Sequence, residues 1–366
     1  MKKLAALVYL GVYLICVSGT SNSWPISLSM SCYEVQPKVA CSFDFTNNAN
    51  QDYYLLKRNT PLEGMFSPFV AISYNGAPLN YEGIVAYRFP PVQNEFVLIK
   101  PGESVSAIAY ISDAFNLRSD GLYSISYVSP LEFLSKEQME MTAFDAKIRY
   151  ANHLEVSESV QISLKNTHML LRPSFIDTHS QDADRQIVTI KGCDSASFIG
   201  GNQTQRDDVL AAHIKLCAQF GSARKIVQND AFYKTWFGEY TAERSNKVKL
   251  VLQQCEDGIT QDTVTYDMNG LYCFIPFSYA YYVRGEKAKV HLCALFHDVK
   301  SVTCREDGDA SKEQILAHEW THCYGGTEDY MTYGEEDNKA MAMNDPDKAV
   351  NHADSYAYYY CLAYWQ

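Results

Sequence analysis

Two histidines separated by three residues are the feature of this sequence that most directly suggests chemistry. His318 and His322 flank Glu319 in the run His-Glu-Trp-Thr-His. On a helix, residues at positions i and i+4 lie on one face, so both imidazoles can bind the same zinc ion. The neighbouring carboxylate of Glu319 suits the general base of a hydrolase.

A third ligand is predicted shortly after the histidines. Gly325 and Gly326 can end the helix and reverse the chain, which brings Asp329 back toward the imidazoles as an oxygen ligand. Three protein ligands leave the fourth position of a tetrahedral zinc ion for water, as in catalytic rather than structural zinc sites. The sequence therefore predicts one catalytic zinc ion per chain.

The residues before the histidines carry the signals of a helix start. Ser311 and Gln314 have the spacing of a capping box, and Ile315, Leu316 and Trp320 have the apolar spacing of a helix. The alternative is a helix with two unrelated surface or packed histidines. The cap, the glycine turn and the acid that follows all disfavour that alternative.

The residues around the predicted third ligand resemble the signature of the aspzincins, the deuterolysin and peptidyl-Lys metallopeptidase family. Residues 326–329 read Gly-Thr-Glu-Asp and are followed by Tyr-Gly at 333–334, which is similar to the family pattern G-T-x-D-x-x-Y-G. Further matches lie at residues 235–238, 345–350 and 353–354. The resemblance covers essentially all of the chain after about Thr189, and it implies a zinc endopeptidase whose third ligand is an aspartate.

Two departures from the family pattern concern the spacing around the site. The spacer between His322 and the double glycine is two residues shorter than in peptidyl-Lys members, and one extra residue separates Asp329 from Tyr333. The resemblance implies a tyrosine that donates a hydrogen bond to the oxyanion of the tetrahedral intermediate. Tyr333 fits the Tyr-Gly ending, whereas Tyr330 is nearest the ligand, so both are candidates.

Substrate binding is predicted at Asp354. It aligns with a family aspartate that lines the pocket for the residue just after the scissile bond, where a carboxylate attracts a lysine ammonium. The second acid of that pocket falls on Ala357 here. The loss of one carboxylate weakens the electrostatic case for a strict lysine preference.

Cysteine usage predicts disulfides formed in an oxidising compartment. Eleven cysteines include Cys16 within the N-terminal apolar run, which leaves ten, an even number. Cys32 and Cys41 are close enough in sequence to clip a hairpin. The resemblance implies two further pairs, and a third would staple the C-terminal segment beneath the active-site helix: Cys193 with Cys255, Cys273 with Cys293, and Cys304 with Cys361.

Two cysteines are then left over. Cys217 and Cys323 either pair with each other or remain free. Cys323 adjoins a predicted zinc ligand, but successive helix positions point about 100° apart. Zinc binding by Cys323 is therefore disfavoured.

Residues 1–19 have the pattern of a secretory signal. Two lysines precede an apolar run at residues 4–17 and two small residues, and the run is too short for a membrane span. The formal net charge is −12 without a basic stripe, which argues against nucleic-acid binding. We expect a secreted protein with no membrane span.

Residues 20–171 alternate short apolar runs with turn residues about every ten positions, which predicts an antiparallel β-sandwich. Part of this segment resembles the propeptide of the same family and implies an intramolecular inhibitor or chaperone. The alternative is an adhesion-type β module retained in the mature protein. The polar residues 172–188 predict a linker where processing occurs.

Residues 189–366 predict a mostly helical zincin-type catalytic domain with a small β-sheet, so the fold class is α+β. Apolar stripes at residues 209–220 and 248–255 indicate helices, and residues 270–277, 280–283 and 290–295 indicate strands. His213 lies on one of the apolar stripes and is predicted to be a packed histidine rather than a ligand.

Together these features predict a secreted zinc endopeptidase of protein and peptide substrates, made as a zymogen. One alternative is a catalytically silent relative that binds a partner through its β domain, but an intact Glu319 speaks against it. The other is a zinc amidase that acts on cell-wall peptides.

Overall fold

The computed structural model describes residues 24–142, 148, 151–173, 175, 185–330, 332 and 334–366. The predicted signal at residues 1–19 and most of the predicted linker at 172–188 lie outside the described residues, and so does Tyr333. No helix in the described part of the chain is long and apolar enough to cross a membrane.

The N-terminal part of the chain is built almost entirely of strands. These are β1 (Ile26–Val35), β2 (Lys38–Asn47), β3 (Tyr53–Leu56), β4 (Val70–Tyr74), β5 (Ala77–Pro78), β6 (Ile84–Arg88), β7 (Phe96–Ile99), β8 (Ser104–Tyr110), β9 (Gly121–Tyr127), β10 (Leu131–Ser135), β11 (Asn152–Leu154) and β12 (Ser159–Leu164), with one short helix, α1 (Lys136–Glu140).

Three antiparallel sheets hold eleven of these strands, in the orders β1-β2-β8, β11-β10-β3-β7 and β12-β9-β4-β5. Side chains along β2 and β9 alternate between buried and less buried positions, as expected for sheets that face a core on one side. Phe43, Ile72, Tyr123 and Leu131, which together represent all three sheets, pack into one buried cluster. We call residues 24–173 the N-terminal unit.

The C-terminal part combines strands and helices, and we call residues 185–366 the C-terminal unit. Its elements are β13 (Gln186–Thr189), β14 (Ser195–Ile199), α2 (Gln203–Lys225), α3 (Ala231–Phe237), α4 (Ala242–Gln261), β15 (Thr263–Asp267), β16 (Ser278–Val283), β17 (Lys289–Leu292), α5 (Ala294–Asp298), α6 (Lys312–Gly325), α7 (Glu335–Asn344), α8 (Pro346–Ala349) and α9 (Ala353–Leu362).

One six-stranded mixed sheet runs through the C-terminal unit in the order β13-β14-β15-β17-β16-β6. Strands β14, β15 and β17 are parallel, and β16 is antiparallel to both of its neighbours. The last strand, β6, comes from the N-terminal unit. The two units therefore share a sheet, which the predicted boundary at 172–188 does not suggest.

One prediction about this sheet is wrong, and one of its strands was not predicted. Residues 270–277 form successive turns rather than a strand, because Gly270 and Cys273 sit in a reversal closed by a hydrogen bond from Cys273 N to Gly270 O of 3.1 Å. Strand β15 was not predicted, because it follows α4 after a single residue and leaves no separate turn signal. The predicted helical stripes correspond to α2 and α4.

One predicted disulfide is also wrong. Cys193 lies with Cys217 at a Cα–Cα distance of 5.9 Å, not with Cys255. Cys193 lies in the turn between β13 and β14, close to α2, whereas Cys255 is buried on α4 with its thiol 3.5 Å from the carbonyl oxygen of Trp320. Cys255 and Cys323 are free thiols.

The three other predicted pairs, Cys32 with Cys41, Cys273 with Cys293 and Cys304 with Cys361, lie at disulfide distance. Cys32 and Cys41 are register partners across the β1–β2 hairpin. The last pair joins the segment before α6 to α9, as predicted for a staple beneath the active-site helix.

Candidate active site

Helix α6 positions the predicted zinc ligands, and its two ends are defined as the sequence indicates. The side chain of Ser311 accepts a hydrogen bond from the N–H of Gln314 at 3.1 Å. Gly326 ends the helix in the left-handed conformation, at φ 64°. Ile315, Leu316 and Trp320 are fully buried in the core, so the helix cannot rotate to present another face.

Three ligand atoms converge at the end of this helix. The Nε2 atoms of His318 and His322 lie 3.0 Å apart, and Oδ1 of Asp329 lies 3.3 Å from each of them. Zinc bonds of about 2.0–2.1 Å in a tetrahedral arrangement place neighbouring ligand atoms roughly 3.3 Å apart. The three atoms therefore have the spacing of one face of a zinc coordination sphere.

Hydrogen bonds on the far side of each imidazole favour the form of the ring that binds metal. Nδ1 of His318 donates to Oδ1 of Asp354 at 2.8 Å, and Nδ1 of His322 donates to the carbonyl oxygen of Thr327 at 2.9 Å. With the proton on Nδ1, the lone pair of each ring is on Nε2 and points at the other ligands. Such partners orient metal-bound histidines in many proteins.

The loop that carries Asp329 is tied to the start of α9. The N–H of Glu328 donates to the carbonyl oxygen of Asn351 at 2.8 Å, and the N–H of Ala353 donates to the carbonyl oxygen of Glu328 at 3.0 Å. The Glu328 side chain forms an ion pair with Arg284. The aspartate therefore approaches the histidines from a loop that is fixed on both sides.

Glu319 lies beside the three candidate ligands and is fully buried. Neither carboxylate oxygen accepts a hydrogen bond of standard geometry from the described residues, but the main-chain N–H of Tyr87 is close enough to lower the pKa of this carboxyl. Burial raises the pKa of this carboxyl to about 8, against a lowering influence of His318. A buried carboxylate that is not held by a strong structural hydrogen bond is available to exchange protons with a bound molecule.

Two further predicted site residues, Tyr330 and Asp354, both border the cavity at the site but have different contacts. Tyr330 is half-buried, lines the cavity at the site, and packs its ring 5.7 Å from that of His352. Asp354 is buried and also borders the cavity, but one oxygen is engaged by His318. The role of Asp354 behind a candidate zinc ligand was not predicted from sequence.

A cavity of about 540 Å³ adjoins the ligands and is lined by both units of the chain. Asp329, Tyr330 and Asp354 contribute from the C-terminal unit, and Tyr87 and Arg88 contribute from β6. The ring of Tyr87 lies 4.2 Å from the ring of His318. Sequence analysis missed Tyr87, because nothing in its local pattern signals a contact with residues more than two hundred positions away.

A second group of possible ligand atoms lies outside this site. Cys193, His213 and Cys217 have such atoms within 4.8 Å of one another. The two sulfurs are at disulfide distance, so the thiolates that a metal would need are already used. His213 is fully buried with Nδ1 2.7 Å from the hydroxyl of Tyr266, consistent with the predicted packed histidine.

Comparisons with known proteins find a family match over the part of the chain that contains these residues. Residues 222–361 match the family Aspzincin_M35, described as Lysine-specific metallo-endopeptidase. An extracellular protease of Aeromonas hydrophila is 28% identical over 340 residues, which cover 88% of this chain and 87% of that protein. A peptidyl-Lys metalloendopeptidase of Grifola frondosa is 28% identical over 273 residues, which cover 73% of this chain and 69% of that protein.

Among solved structures, a zinc peptidase from Grifola frondosa is similar over 44% of this chain and 96% of its own, with 26% sequence identity and a TM-score of 0.38. The segment matched by the family contains all three candidate ligands and Glu319.

Proposed function

Residues 222–361 belong to the aspzincin family of zinc metalloendopeptidases, and from this premise we propose that His318, His322 and Asp329 bind one zinc ion that serves peptide hydrolysis. The chain is accordingly a metalloendopeptidase of protein substrates. The observation that carries the proposed ligand set is the mutual spacing of three ligand atoms at 3.0, 3.3 and 3.3 Å.

The protein groups around this set have separate roles in the reaction. Zinc, when bound, supplies Lewis acidity to the attacking water and to the scissile carbonyl. Glu319 takes the proton of that water and later delivers it to the leaving amine, for which a buried carboxylate without a strong structural hydrogen bond is suited. Tyr330, or Tyr333 by its match to the family pattern, donates a hydrogen bond to the oxyanion.

The residue after the scissile bond is proposed to be lysine in preferred substrates, without strict selection. Relatives named peptidyl-Lys metalloendopeptidase and the description of the matched family support this preference. Asp354 borders the cavity and can attract an ammonium group. Because one of its oxygens is engaged by His318 and Ala357 replaces the second acid, the attraction is weaker than that of two free carboxylates.

We further propose that the protein is secreted as a zymogen, with residues 1–19 as signal, 20–171 as propeptide, 172–188 as processing linker and 189–366 as catalytic domain. The name of the Aeromonas hydrophila relative, an extracellular protease, supports export. Residues of the N-terminal unit line the cavity beside the candidate ligands, so this unit restricts access to the site.

The test compares wild type with the variant Glu319→Ala. The control variant is Glu243→Ala, because Glu243 is an exposed glutamate that is remote in sequence from the candidate ligands. Each protein is assayed on casein after cleavage of the linker, with and without a chelator, and its zinc content is measured. We expect Glu319→Ala to keep one zinc ion and its fold but to lose about 10²–10⁴-fold in turnover. Near-normal turnover of that variant would overturn the assignment of the base.

Assay of peptidoglycan alongside casein addresses the alternatives. Hydrolysis of cell-wall peptides but not casein would indicate an amidase. Zinc binding without hydrolysis of either substrate would indicate a binding protein. The residues after each cut in casein measure the lysine preference directly.

A further inference from the structure

His352 is a buried histidine beside the site to which no role has been assigned. It lies directly before α9, and its main chain forms a parallel bridge with Glu328. We call residues 326–330 together with Thr332 the ligand loop, because they include Asp329. The ring of His352 contacts this loop at three positions, which lie before, beside and after the candidate ligand.

Two hydrogen bonds join the imidazole of His352 to the ligand loop. Nδ1 lies 3.2 Å from the carbonyl oxygen of Glu328, and Nε2 lies 2.7 Å from the hydroxyl oxygen of Thr332. Because a carbonyl oxygen only accepts, Nδ1 donates to it. In the neutral ring Nε2 is then an acceptor, to which the hydroxyl of Thr332 donates. Both ring nitrogens are engaged, so His352 does not serve as a fourth metal ligand.

The bond to Thr332 holds the part of the loop that follows the candidate ligand. The main-chain bonds to the start of α9 and the ion pair with Arg284 all involve Glu328, which precedes Asp329. The imidazole of His352 therefore joins the two sides of the candidate ligand to each other.

The third contact of His352 is with Tyr330, the residue after Asp329. The two ring centres lie 5.7 Å apart, with an angle of 51° between the ring planes. Tyr330 borders the cavity and is a candidate donor to the oxyanion. The same imidazole thus contacts the loop where it presents both a candidate ligand and a candidate donor.

The ligand loop needs such contacts because it lies at the surface. The side chains of Glu328 and Asp329 are 36% and 31% exposed. A surface segment is not held by core packing, so its position depends on individual hydrogen bonds. If these are lost, the loop must be ordered when a metal ion binds, and the entropy cost of that ordering weakens binding.

We propose that His352 is a positioning residue of the reaction. It holds the ligand loop so that Asp329 reaches the metal ion and Tyr330 faces the cavity, and it contacts neither the metal ion nor the reacting bond. This inference rests on the proposed peptidase function and adds a residue to it.

The variants separate the two hydrogen bonds of the imidazole. His352→Ala removes both. His352→Asn places an amide N–H near the position of Nδ1 but does not reach Thr332, and Thr332→Val removes the hydroxyl. The matched control is His297→Ala, because Nε2 of His297 also donates to a main-chain carbonyl, that of Met268 at 3.0 Å. His297 does not belong to the described residues that line the cavity.

Zinc affinity of the full chain, measured by competition with a chelating dye, is the first readout. We expect His352→Ala to weaken zinc binding by about tenfold or more, as for other residues behind metal ligands. His352→Asn and Thr332→Val should each cause a smaller loss of similar size. The two combined should lose no more than either alone, because they break the same hydrogen bond. His297→Ala should keep the affinity of wild type even where its urea midpoint falls.

Two further readouts distinguish positioning from a general loss of stability. With Co²⁺ in place of zinc, the visible spectrum reports the geometry of the ligands, and it should change in His352→Ala but not in His297→Ala. After cleavage of the linker and at saturating zinc, His352→Ala should lower kcat for a quenched fluorescent peptide with little change in KM. His352→Asn should recover part of that loss.

Wild-type zinc affinity in folded His352→Ala and Thr332→Val, with hydrolysis still abolished by a chelator, would overturn the inference and leave the peptidase intact. If His352→Ala does not fold, the other two variants decide, because additive losses in His352→Asn with Thr332→Val would equally overturn it. The expected order of zinc affinities without hydrolysis by any protein would instead refute the peptidase function and support the positioning of the ligand.

Discussion

Each candidate zinc ligand on α6 depends on another residue for the orientation of its side chain. Asp354 accepts from His318, and the main-chain carbonyl of Thr327 accepts from His322. Only the first of these partners can be changed by a side-chain substitution. Asp354 therefore offers a way to separate two roles, the orientation of a ligand and the attraction of a lysine substrate.

Replacement of Asp354 by alanine and by asparagine should give different results. Alanine removes the acceptor for His318 and should lower zinc affinity about 10–100-fold. The resulting loss of activity should be the same for all substrates. Asparagine keeps an acceptor oxygen but removes the charge, so it should retain most of the zinc affinity and lose the lysine preference. Metal titration and the distribution of cut sites measure the two effects.

Asp347→Ala is the control for the two Asp354 variants. Asp347 lies in the same segment of the chain, but its carboxylate is exposed and forms an ion pair with Arg244. Unchanged zinc affinity in Asp354→Ala would contradict the orienting role. An unchanged lysine preference in Asp354→Asn would contradict the substrate role.

At the scale of single elements, the end of α6 fixes where the chain turns back toward the metal site. Gly326 adopts φ 64°, and a Cβ atom placed there would meet nothing within 4 Å. Gly325, the residue before it, has no such space, because a Cβ atom would lie 2.6 Å from a side-chain carbon of Val251. Gly326 is therefore needed for its backbone conformation, and Gly325 is needed for close packing against Val251.

Gly326→Ala should therefore destabilise the chain by about 1–2 kcal/mol, the cost of a left-handed conformation for a residue with a Cβ atom. Gly326→Asn should cost less, since asparagine tolerates that conformation. Gly325→Ala should be more harmful than Gly326→Asn, because Val251 must move. Urea unfolding midpoints test this order, and equal midpoints for all three variants would contradict it.

The sheet contains a buried histidine between two acids. His291 lies 3.0 Å from Asp267 and 2.7 Å from Glu286 through its two ring nitrogens, and it stacks on Tyr281. Burial lowers the pKa of His291, but the hydrogen bonds to the two carboxylates outweigh burial and nearby Lys289, so the net shift is upward.

Because the folded pKa of His291 exceeds the unfolded value of about 6.5, its protonation stabilises the fold fully below that pH and is lost as pH rises through the folded pKa. As pH rises above about 6.5, the free energy of unfolding should fall more steeply in wild type than in His291→Gln. His168→Gln, at an exposed position, is the control. Parallel pH profiles for wild type and His291→Gln would contradict this account.

At the scale of the whole molecule, the two units are joined by more than the linker. Strand β6 lies in the sheet of the C-terminal unit, and Ile275, Tyr281 and Val283 of that unit pack into the core of the N-terminal unit. Elements that share a sheet and a core unfold together when the shared contacts are a large part of the stability of each.

Thermal unfolding of the full zinc-loaded chain should accordingly occur in one transition seen by both tyrosine absorbance and calorimetry. A chelator should lower the midpoint of that single transition, because zinc binds only the folded site. Two separated transitions, of which only one responds to the chelator, would show that the units unfold independently.

The sequence by itself determined the local features of the site. The spacing of His318 and His322, the cap at Ser311 and the glycine at Gly326 specify a helix of known face and end, since these signals act within a few residues. The family predicted from these motifs is confirmed by the match over residues 222–361. The main helices were also predictable, because their apolar spacing is local.

Only the tertiary structure decided which distant residues meet at that site. It placed Asp354 behind His318, Tyr87 against the same ring, and Cys193 beside Cys217 rather than Cys255. Such pairings join residues that lie far apart in the chain or on different elements, and no periodicity or short motif records them. They follow from how sheets and helices pack once formed, which is why a strand from the N-terminal unit could complete the catalytic sheet without any sign in its own sequence.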